Sequence, residues 1–163
     1  MATVTMKPHL RYIFAPNDMV GLLELEKEVS IPYDEDKIHK LLHERYNIGM
    51  LVESDNIILG YMIYSLLHQK LSITRLIVRS DMRRRGIGTM MINKLKYNVS
   101  NNKKRYSIDC NVPAYALDMQ LFLRDNDFLC NEINYYDDNE YLYFVWKEGW
   151  DLIEEMMGSR FCE

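Results

Sequence analysis

Three consecutive arginines precede two glycines in residues 83–88, which read RRRGIG. The apolar run Leu76–Val78 lies before them, and apolar residues at helical spacing follow them. A helix N-terminus attracts anions because its first N–H groups are unpaired and its dipole is positive at that end. Glycine lets the preceding backbone curl around an oxyanion, and arginine adds charge and paired hydrogen bonds to phosphate oxygens. The spacing therefore predicts that a phosphate-bearing ligand binds where a strand passes into a helix.

The charge distribution along the chain agrees with this prediction. The 163 residues have a formal net charge of −4, yet residues 75–105 contain ten basic side chains and one acidic side chain. That segment therefore carries +9 and the remainder of the chain −13. A solvated basic helix face is the alternative interpretation of the charge run alone, because R-x-x-G-x-G is a short pattern. Two other phosphate-binding patterns, GxxxxGK[ST] and GxGxxG, do not occur.

Nucleic acid is a second kind of anionic ligand that the basic segment could take. The segment contains only two aromatic residues that could stack on bases, Tyr97 and Tyr106. The acidic remainder of the chain would repel a phosphate backbone. We therefore expect no nucleic-acid partner.

Cysteine and histidine offer little further chemistry. Cys110, Cys130 and Cys162 are far apart in the sequence, and none lies in a CxxC or Cys/His cluster of the kind that binds zinc. Cys110 follows Asp109 but has no neighbouring histidine to activate it, and a cysteine in a buried strand is usually inert. We expect reduced thiols, no metal ion, and a solvent-facing His68.

The elements that must position these residues alternate between strands and helices. Apolar runs rich in β-branched and aromatic residues predict strands at residues 10–14, 49–54, 57–67, 71–78, 106–112 and 141–146. Helical spacing predicts helices at about residues 17–29, 31–45, 88–99 and 115–125. Asn17 or Asp18 is the expected cap of the first helix, and Leu117, Leu121 and Phe122 the expected inward face of the last. The crossover at residues 71–112 should make its two strands parallel neighbours.

The composition, 48% apolar and 27% charged residues, is that of a globular protein. We expect one domain, residues 1–163, with a short helical tail at about residues 147–163. The apolar residues of the tail either close over the core of the domain or form a homodimer contact. The N-terminus lacks the features of a secretory signal, and no stretch approaches the roughly 20 apolar residues of a membrane span. We therefore expect a cytoplasmic protein with no membrane partner.

With these segments in place, the sequence resembles the GCN5-related N-acetyltransferase (GNAT) superfamily over roughly residues 9–146. LIVRSDMRRRGIGTMMINKL is similar to the acetyl-CoA motif of the family, [RQ]-x-x-G-x-[GA] after the fourth strand. IPYDEDKI, QLFLRDNDF and NYYDDNEYLYFV are similar to its FPW-S-E-x-x-F segment, its A-x-x-LY-x-x-x-GF helix and its closing hairpin. By pattern the sequence is most similar to the ribosomal-protein-alanine N-acetyltransferases.

The resemblance implies a fold, a co-substrate and a set of binding residues. The fold is mixed α/β, with a central, twisted, mostly antiparallel sheet, a parallel pair formed by strands 4 and 5, and flanking helices. The co-substrate is acetyl-CoA, and no metal is implied. Main-chain groups of Leu76, Ile77 and Val78 would bind the pantetheine arm. The residues around the pyrophosphate would be Arg83, Arg84, Arg85, Gly86, Ile87, Gly88 and Thr89.

The resemblance also proposes catalytic residues, with departures from the family pattern. Asp109 stands where similar enzymes carry a glutamate base, and its shorter side chain would act through water. The alternative is that it neutralises a nearby lysine or arginine. Leu123 stands at the position of the usual tyrosine acid and cannot give a proton, and Asp127 replaces the motif glycine. The substitutes for the missing acid would be Tyr115, Tyr135 and Tyr136.

The activity implied by the resemblance is direct transfer of an acetyl group to a primary amine, with no acyl-enzyme. A chain-terminal amine with a pKa near 8 costs about 1 kcal/mol to deprotonate at pH 7, whereas a lysine costs roughly 4–5 kcal/mol. We therefore expect a protein or peptide N-terminus as the acceptor. Because Leu123 cannot serve as the acid, a second hypothesis stays open, a non-catalytic acyl-CoA-binding regulatory or interaction module.

Overall fold

The structure is a computed structural model, and it describes residues 5–101 and 104–149. The strands are β1 (His9–Tyr12), β2 (Asn47–Ser54), β3 (Ile57–Leu66), β4 (Lys70–Val78), β5 (Ser107–Pro113), β6 (Leu129–Tyr136) and β7 (Asn139–Lys147). The helices are α1 (Ala15–Glu26), α2 (Glu35–His43), α3 (Ile87–Asn101) and α4 (Leu117–Asp125), with a short 3₁₀ turn at Ser80–Met82. The predicted tail helix at residues 147–163 lies almost entirely outside the described residues.

The seven strands form one sheet in the order β1-β2-β3-β4-β5-β7-β6. Pairing is antiparallel for β1–β2, β2–β3, β5–β7 and β6–β7, and β4 and β5 are parallel. The fold class predicted from the sequence is therefore confirmed. None of the helices within the described ranges is long and apolar enough to cross a membrane.

By its contacts the described chain divides into two compact units. The first comprises residues 5–66 and 73–94, and the second comprises residues 67–72, 95–101 and 104–149. Strand β4 and helix α3 each contribute residues to both units.

The first unit contains the β2–β3 hairpin, which turns at Asp55 and Asn56. Both turn residues have left-handed backbone conformations, with φ of 52° and 63°, as a two-residue turn between twisted strands requires. The core of the first unit is formed by side chains of α1, α2 and the sheet: Met19, Leu22, Leu25, Ile38, Leu51, Tyr61, Ile63 and Ile77.

The first helix begins earlier than the sequence predicted. Helix α1 starts at Ala15, with Phe14 at the cap position and Pro16 in the first turn, so the predicted cap at Asn17 or Asp18 is wrong. Proline fits the first turn because the N–H that it lacks would be unpaired there. Asp18 accepts a hydrogen bond from the Phe14 N–H at 2.7 Å and pairs with Arg11. Its carboxylate therefore acts on the helix start from inside the first turn.

The second unit contains the β6–β7 hairpin, in which Asp137 and Asp138 form a left-handed turn with φ of 48° and 64°. Helix α4 buries a different face from the predicted one. Leu117 and Leu121 are 61% and 45% exposed, whereas Leu123 is fully buried. The covered stripe at helical spacing consists of Met119, Phe122, Leu123 and Asn126. The prediction that Leu117 and Leu121 point inward is therefore wrong.

Candidate functional site

The arginine–glycine segment, Arg83–Thr89, lies in the first unit between the end of β4 and the first turn of α3. Arg84 and Gly86 both have left-handed backbone conformations, with φ of 60° and 83°. A Cβ built on Gly86 would meet no atom within 4 Å, so glycine is favoured there by its backbone conformation and not by crowding. The two left-handed residues have one residue between them. Together they make the main chain turn sharply just before the helix, as the sequence predicted for this junction.

Three main-chain N–H groups of this segment have no backbone acceptor among the described residues. Gly86 O accepts the Met90 N–H at 2.9 Å, which closes the first turn of α3. Within residues 5–101 and 104–149, no backbone carbonyl accepts a hydrogen bond from the N–H of Arg84, Arg85 or Gly86. Adjacent N–H donors at a helix N-terminus are the usual means by which proteins bind phosphate.

The three arginines of the segment are exposed, and no carboxylate of the described chain lies within salt-bridge distance of them. Arg83 Nε donates to Val78 O at 3.3 Å, which ties the segment to the end of β4. Ile77, in the strand expected to hold the pantetheine arm, is buried, and Leu76 and Val78 are half-buried. The predicted cofactor-binding residues thus lie along one stretch of chain, from the end of β4 to the first turn of α3.

A buried ion pair precedes this stretch in the same unit. Glu26, at the end of α1, is 1% exposed and accepts hydrogen bonds from the Tyr61 hydroxyl, the Tyr33 N–H and the Arg75 guanidinium. Arg75 also lies over the Tyr33 ring at 3.7 Å and donates to Ile31 O at 3.1 Å. The connection between α1 and α2 is therefore fixed against β4 directly before Leu76.

The first unit also contains an open cleft of about 540 Å³ between α1 and the β2–β3 turn. Arg11 pairs there with Asp18 and Glu53, and its hydrogen bonds hold the pKa of both carboxyl groups below their ordinary values. Arg79 pairs with Asp81 at 2.9 Å. Because these charges already have partners, the cleft gives no chemical reason to expect a charged ligand.

Asp109 lies in the second unit on β5, where it is 2% exposed. Its Oδ2 accepts a hydrogen bond from the Tyr143 hydroxyl at 2.5 Å and forms an ion pair with Lys70 Nζ at 2.5 Å. Lys70 Nζ also donates to the Tyr143 hydroxyl at 3.3 Å. The hydrogen bond to Asp109 raises the pKa of Lys70, and burial together with Asp109 raises the pKa of Tyr143.

The three tyrosines proposed as substitute acids lie on the surface of the second unit. Tyr115, Tyr135 and Tyr136 are 66%, 70% and 53% exposed. Strand register places Tyr136 on the same face of the sheet as Asp109 and Tyr135 on the opposite face. In the described part of the chain, none of the three is hydrogen-bonded to Asp109.

Leu123 and Asp127 occupy positions that explain their departures from the family pattern. Leu123 is fully buried and serves as a core residue of α4. Asp127 has φ of 70°, a left-handed conformation, and its carboxylate lies 3.2 Å from Lys96 Nζ. Aspartate is one of the few residues besides glycine that occur in this conformation, so it can stand where the family motif has glycine.

Cys110 is buried on the strand, and burial raises the pKa of its thiol to about 12. This agrees with the prediction of an unreactive thiol. His68 is exposed, also as predicted. Within the described residues there is no group of three or more histidine, cysteine or carboxylate side chains that could hold a metal ion.

Sequence reasoning missed Lys70 and Tyr143, the two partners of Asp109. Lys70 is the first residue of an apolar strand, and Tyr143 is one of twelve tyrosines. The available signal was a cation at the start of β4 together with the single carboxylate of its predicted parallel neighbour β5. Buried charges are rarely left unpaired, so this juxtaposition could have suggested the pair.

The sequence matches the model of the acetyltransferase (GNAT) family over residues 15–118, more than half of the chain. The protein belongs to this family. The resemblance stated from the sequence, and the expectation of an N-acetyltransferase enzyme, are thereby confirmed. A sequence search of curated proteins finds no match.

Solved structures of GNAT proteins share the fold at low sequence identity. The ribosomal-protein-S18-alanine N-acetyltransferase from Escherichia coli is 13% identical, with a TM-score of 0.71 over 86% of this chain and 94% of that chain. Ard1 from Thermoplasma volcanium is 14% identical, with a TM-score of 0.74 over 86% and 97%. Arabidopsis thaliana NAA60 in complex with acetyl-CoA is 16% identical, with a TM-score of 0.73 over 86% and 99%.

Proposed function

We propose that this GNAT protein transfers the acetyl group of acetyl-CoA to a primary amine by direct attack of the amine on the thioester. The observation that carries the proposal is the conformation of the arginine–glycine segment. There, in the connection between β4 and α3, Gly86 is left-handed and the N–H groups of residues 84–86 donate to no backbone carbonyl of the described chain. That arrangement suits the diphosphate of coenzyme A, and a structural neighbour, NAA60, has been solved with acetyl-CoA.

Each part of the segment has a proposed role in binding. Main-chain groups of Leu76, Ile77 and Val78 bind the pantetheine arm as an added strand would be bound. The N–H groups of residues 84–89 bind the diphosphate oxygens, and Arg83, Arg84 and Arg85 balance the charge of the phosphates. Most of these contacts use main chain, so the buried side chain of Ile77 can also serve the core.

Asp109 is the proposed base. Acetyl transfer requires an amine that has lost a proton, and a positioned carboxylate contributes to this step. The ion pair with Lys70 also satisfies the alternative expectation, that Asp109 neutralises a cation. The two roles are compatible if the carboxylate takes a proton only briefly. Tyr115, Tyr135 and Tyr136 remain the proposed substitutes for the missing acid.

A protein or peptide N-terminus is the proposed acceptor. Its amine costs about 1 kcal/mol to deprotonate at pH 7, a small cost that a positioned carboxylate can help to meet. Structural neighbours include the E. coli ribosomal-protein-S18-alanine N-acetyltransferase and NAA60 with a bisubstrate analogue. We further propose that residues 1–163 act as one N-acetyltransferase domain in the cytoplasm.

The test combines binding and turnover with two matched glycine variants. Gly86 and Gly149 have nearly the same left-handed φ, 83° and 85°, and a Cβ added at either residue would lie in open space. Alanine at either position should therefore lower the free energy of unfolding by a similar amount, about 1 kcal/mol. Only Gly86→Ala should weaken acetyl-CoA binding, by about tenfold or more in calorimetry.

Turnover is measured as thiol release from acetyl-CoA with a panel of N-terminal peptides, a lysine peptide and small amines. We expect release with N-terminal peptides. If Gly86→Ala and Gly149→Ala bind acetyl-CoA equally well, the assignment of the diphosphate to the segment is wrong.

The burial of Leu123 at the usual position of the acid favours a second candidate, a non-catalytic acyl-CoA-binding regulatory or interaction module. This candidate predicts that acetyl-CoA raises the melting temperature of the protein while no amine on the panel releases thiol. Absence of both effects would contradict both candidates.

A further inference from the structure

We infer that Tyr143 carries the proton between the acceptor amine and Asp109. Lys70 is then a positioning residue that holds the Asp109 carboxylate next to the Tyr143 hydroxyl. The inference rests on the proposed acetyl transfer. It assigns the first proton of the amine to a residue of β7, and it requires no acid at the α4 position that Leu123 occupies.

Three strands bring this cluster together. Asp109 belongs to β5, Tyr143 to β7 and Lys70 to β4, and Asp109 Oδ2 contacts both partners at 2.5 Å. Asn111 pairs with Tyr143 across β5 and β7, so Asp109, two residues earlier, lies on the same face of the sheet as Tyr143. The Tyr143 hydroxyl is therefore hydrogen-bonded to a buried carboxylate by strand geometry and not by a mobile loop.

The three residues of the cluster differ in how exposed they are to solvent. The Asp109 side chain is only 3% exposed, whereas Tyr143 is half-buried and the Lys70 side chain is 38% exposed. A molecule outside the sheet therefore reaches Asp109 through the Tyr143 hydroxyl or the Lys70 ammonium. The ammonium ion has no lone pair to accept a proton, so the phenol oxygen is the group that can.

Glu132 is a further charged group next to Tyr143 among the described residues; it pairs with Tyr143 across β6 and β7 and is exposed. Burial and the hydrogen bond to Asp109 raise the pKa of Tyr143, so the phenol keeps its proton at neutral pH. A neutral phenol bonded to a carboxylate can pass a proton inward without becoming charged itself.

The proton transfer conserves atoms and charge. The acceptor ammonium gives its proton to the Tyr143 oxygen while the phenol proton moves to Asp109 Oδ2. The free amine then forms the C–N bond to the acetyl carbon. As the C–S bond breaks, the thiolate takes the electron pair and the second proton of the nitrogen. Asp109 returns its proton through Tyr143 to water, so one ammonium and one acetyl-CoA give one amide, one thiol and one released proton.

The test compares Tyr143→Phe with Tyr141→Phe. Both tyrosines lie on β7, on the same face and half-buried, but the Tyr141 ring packs against Tyr136. With an N-terminal peptide at pH 6.5, Tyr143→Phe should lower kcat/KM by about 100-fold or more and Tyr141→Phe by less than about threefold. Acetyl-CoA affinity and melting temperature, measured for both variants, show that each is folded and binds co-substrate.

The pH profile separates a proton path from a packing effect. Without the hydroxyl the reaction depends on amine already deprotonated in solution. The loss of kcat/KM in Tyr143→Phe should therefore become about tenfold smaller between pH 6.5 and pH 8.5, a range that spans the amine pKa near 8. A loss that stays constant with pH, or that equals the loss in Tyr141→Phe, would overturn the inference while leaving the proposed transfer intact. Absence of turnover by the unaltered protein would instead contradict the proposed function itself.

Discussion

Glu26 and Asp109 are both buried carboxylates, 1% and 2% exposed, and each is paired with a cation and a tyrosine hydroxyl. They differ in how completely they are enclosed. Both oxygens of Glu26 accept hydrogen bonds, from the Tyr61 hydroxyl, the Arg75 guanidinium and the Tyr33 N–H. Tyr61 is fully buried and the Arg75 side chain only 17% exposed.

Asp109 concentrates its two contacts on one oxygen, and both partners extend toward the surface. Burial alone therefore does not identify a carboxylate as a catalytic base. An enclosed carboxylate with fixed donors on both oxygens stabilises a structure. A carboxylate whose donor is itself accessible can exchange a proton. Of Glu26 and Asp109, only Asp109 has such a donor.

The largest expected effect comes from removing the enclosed carboxylate. Glu26→Ala leaves the Arg75 guanidinium and the Tyr61 hydroxyl buried without their acceptor, so the free energy of unfolding should fall by about 3–5 kcal/mol. Urea unfolding measures the loss. The control is Glu24→Ala, an exposed residue of the same helix that forms an exposed ion pair with Lys27, and it should change stability by less than about 0.5 kcal/mol. Equal losses in the two variants would contradict the stabilising role assigned to the buried pair of Glu26 and Arg75.

Removing Asp109, the buried carboxylate whose donors extend toward the surface, should affect rate more than stability. In Asp109→Asn, Lys70 can turn toward water, so we expect a stability loss of about 1–2 kcal/mol. We expect kcat to fall by about 100- to 1,000-fold at unchanged acetyl-CoA affinity. The matched control, Asp118→Asn in the exposed first turn of α4, should leave kcat unchanged. A fully active Asp109→Asn would remove Asp109 from the mechanism.

The smallest expected effect is a difference between two ion pairs, Lys70–Asp109 and Arg75–Glu26, at alkaline pH. Hydrogen bonding to Asp109 raises the pKa of Lys70, so its contribution to stability is complete below the ordinary lysine pKa near 10.4 and disappears as pH rises through the higher folded-state pKa. Arg75 stays protonated throughout.

The stability difference between the unaltered protein and Lys70→Met should therefore shrink above about pH 10, whereas the difference for Arg75→Met should stay constant. Urea unfolding from pH 8 to pH 11 measures both differences. A Lys70→Met difference that does not change with pH would show that the ammonium contributes packing and not charge.

The parts of the molecule that depend on contiguous residues could be predicted from the sequence. The strand Leu76–Val78, the arginine–glycine segment and the start of α3 follow one another, so local spacing and glycine chemistry were sufficient. The parallel pairing of β4 and β5 followed from the strand–helix–strand order.

Features set by distant residues could not be predicted in the same way. Lys70, Asp109 and Tyr143 are separated by more than 30 residues along the chain, and only strand register brings them together. The buried face of α4 was misjudged because Leu117 and Leu121 have helical spacing, yet tertiary packing covers the stripe through Leu123. Helix α1 began before the predicted cap because Phe14 and Pro16 start it without a side-chain cap.

The most direct test of the central claim is an amide NMR titration of ¹⁵N-labelled protein with coenzyme A. If the main chain of the arginine–glycine segment binds the diphosphate, the N–H signals of Gly86, Gly88 and their neighbours in residues 84–89 should shift downfield, more than any others. Saturable shifts confined to other parts of the chain, with these signals unmoved, would contradict the claim.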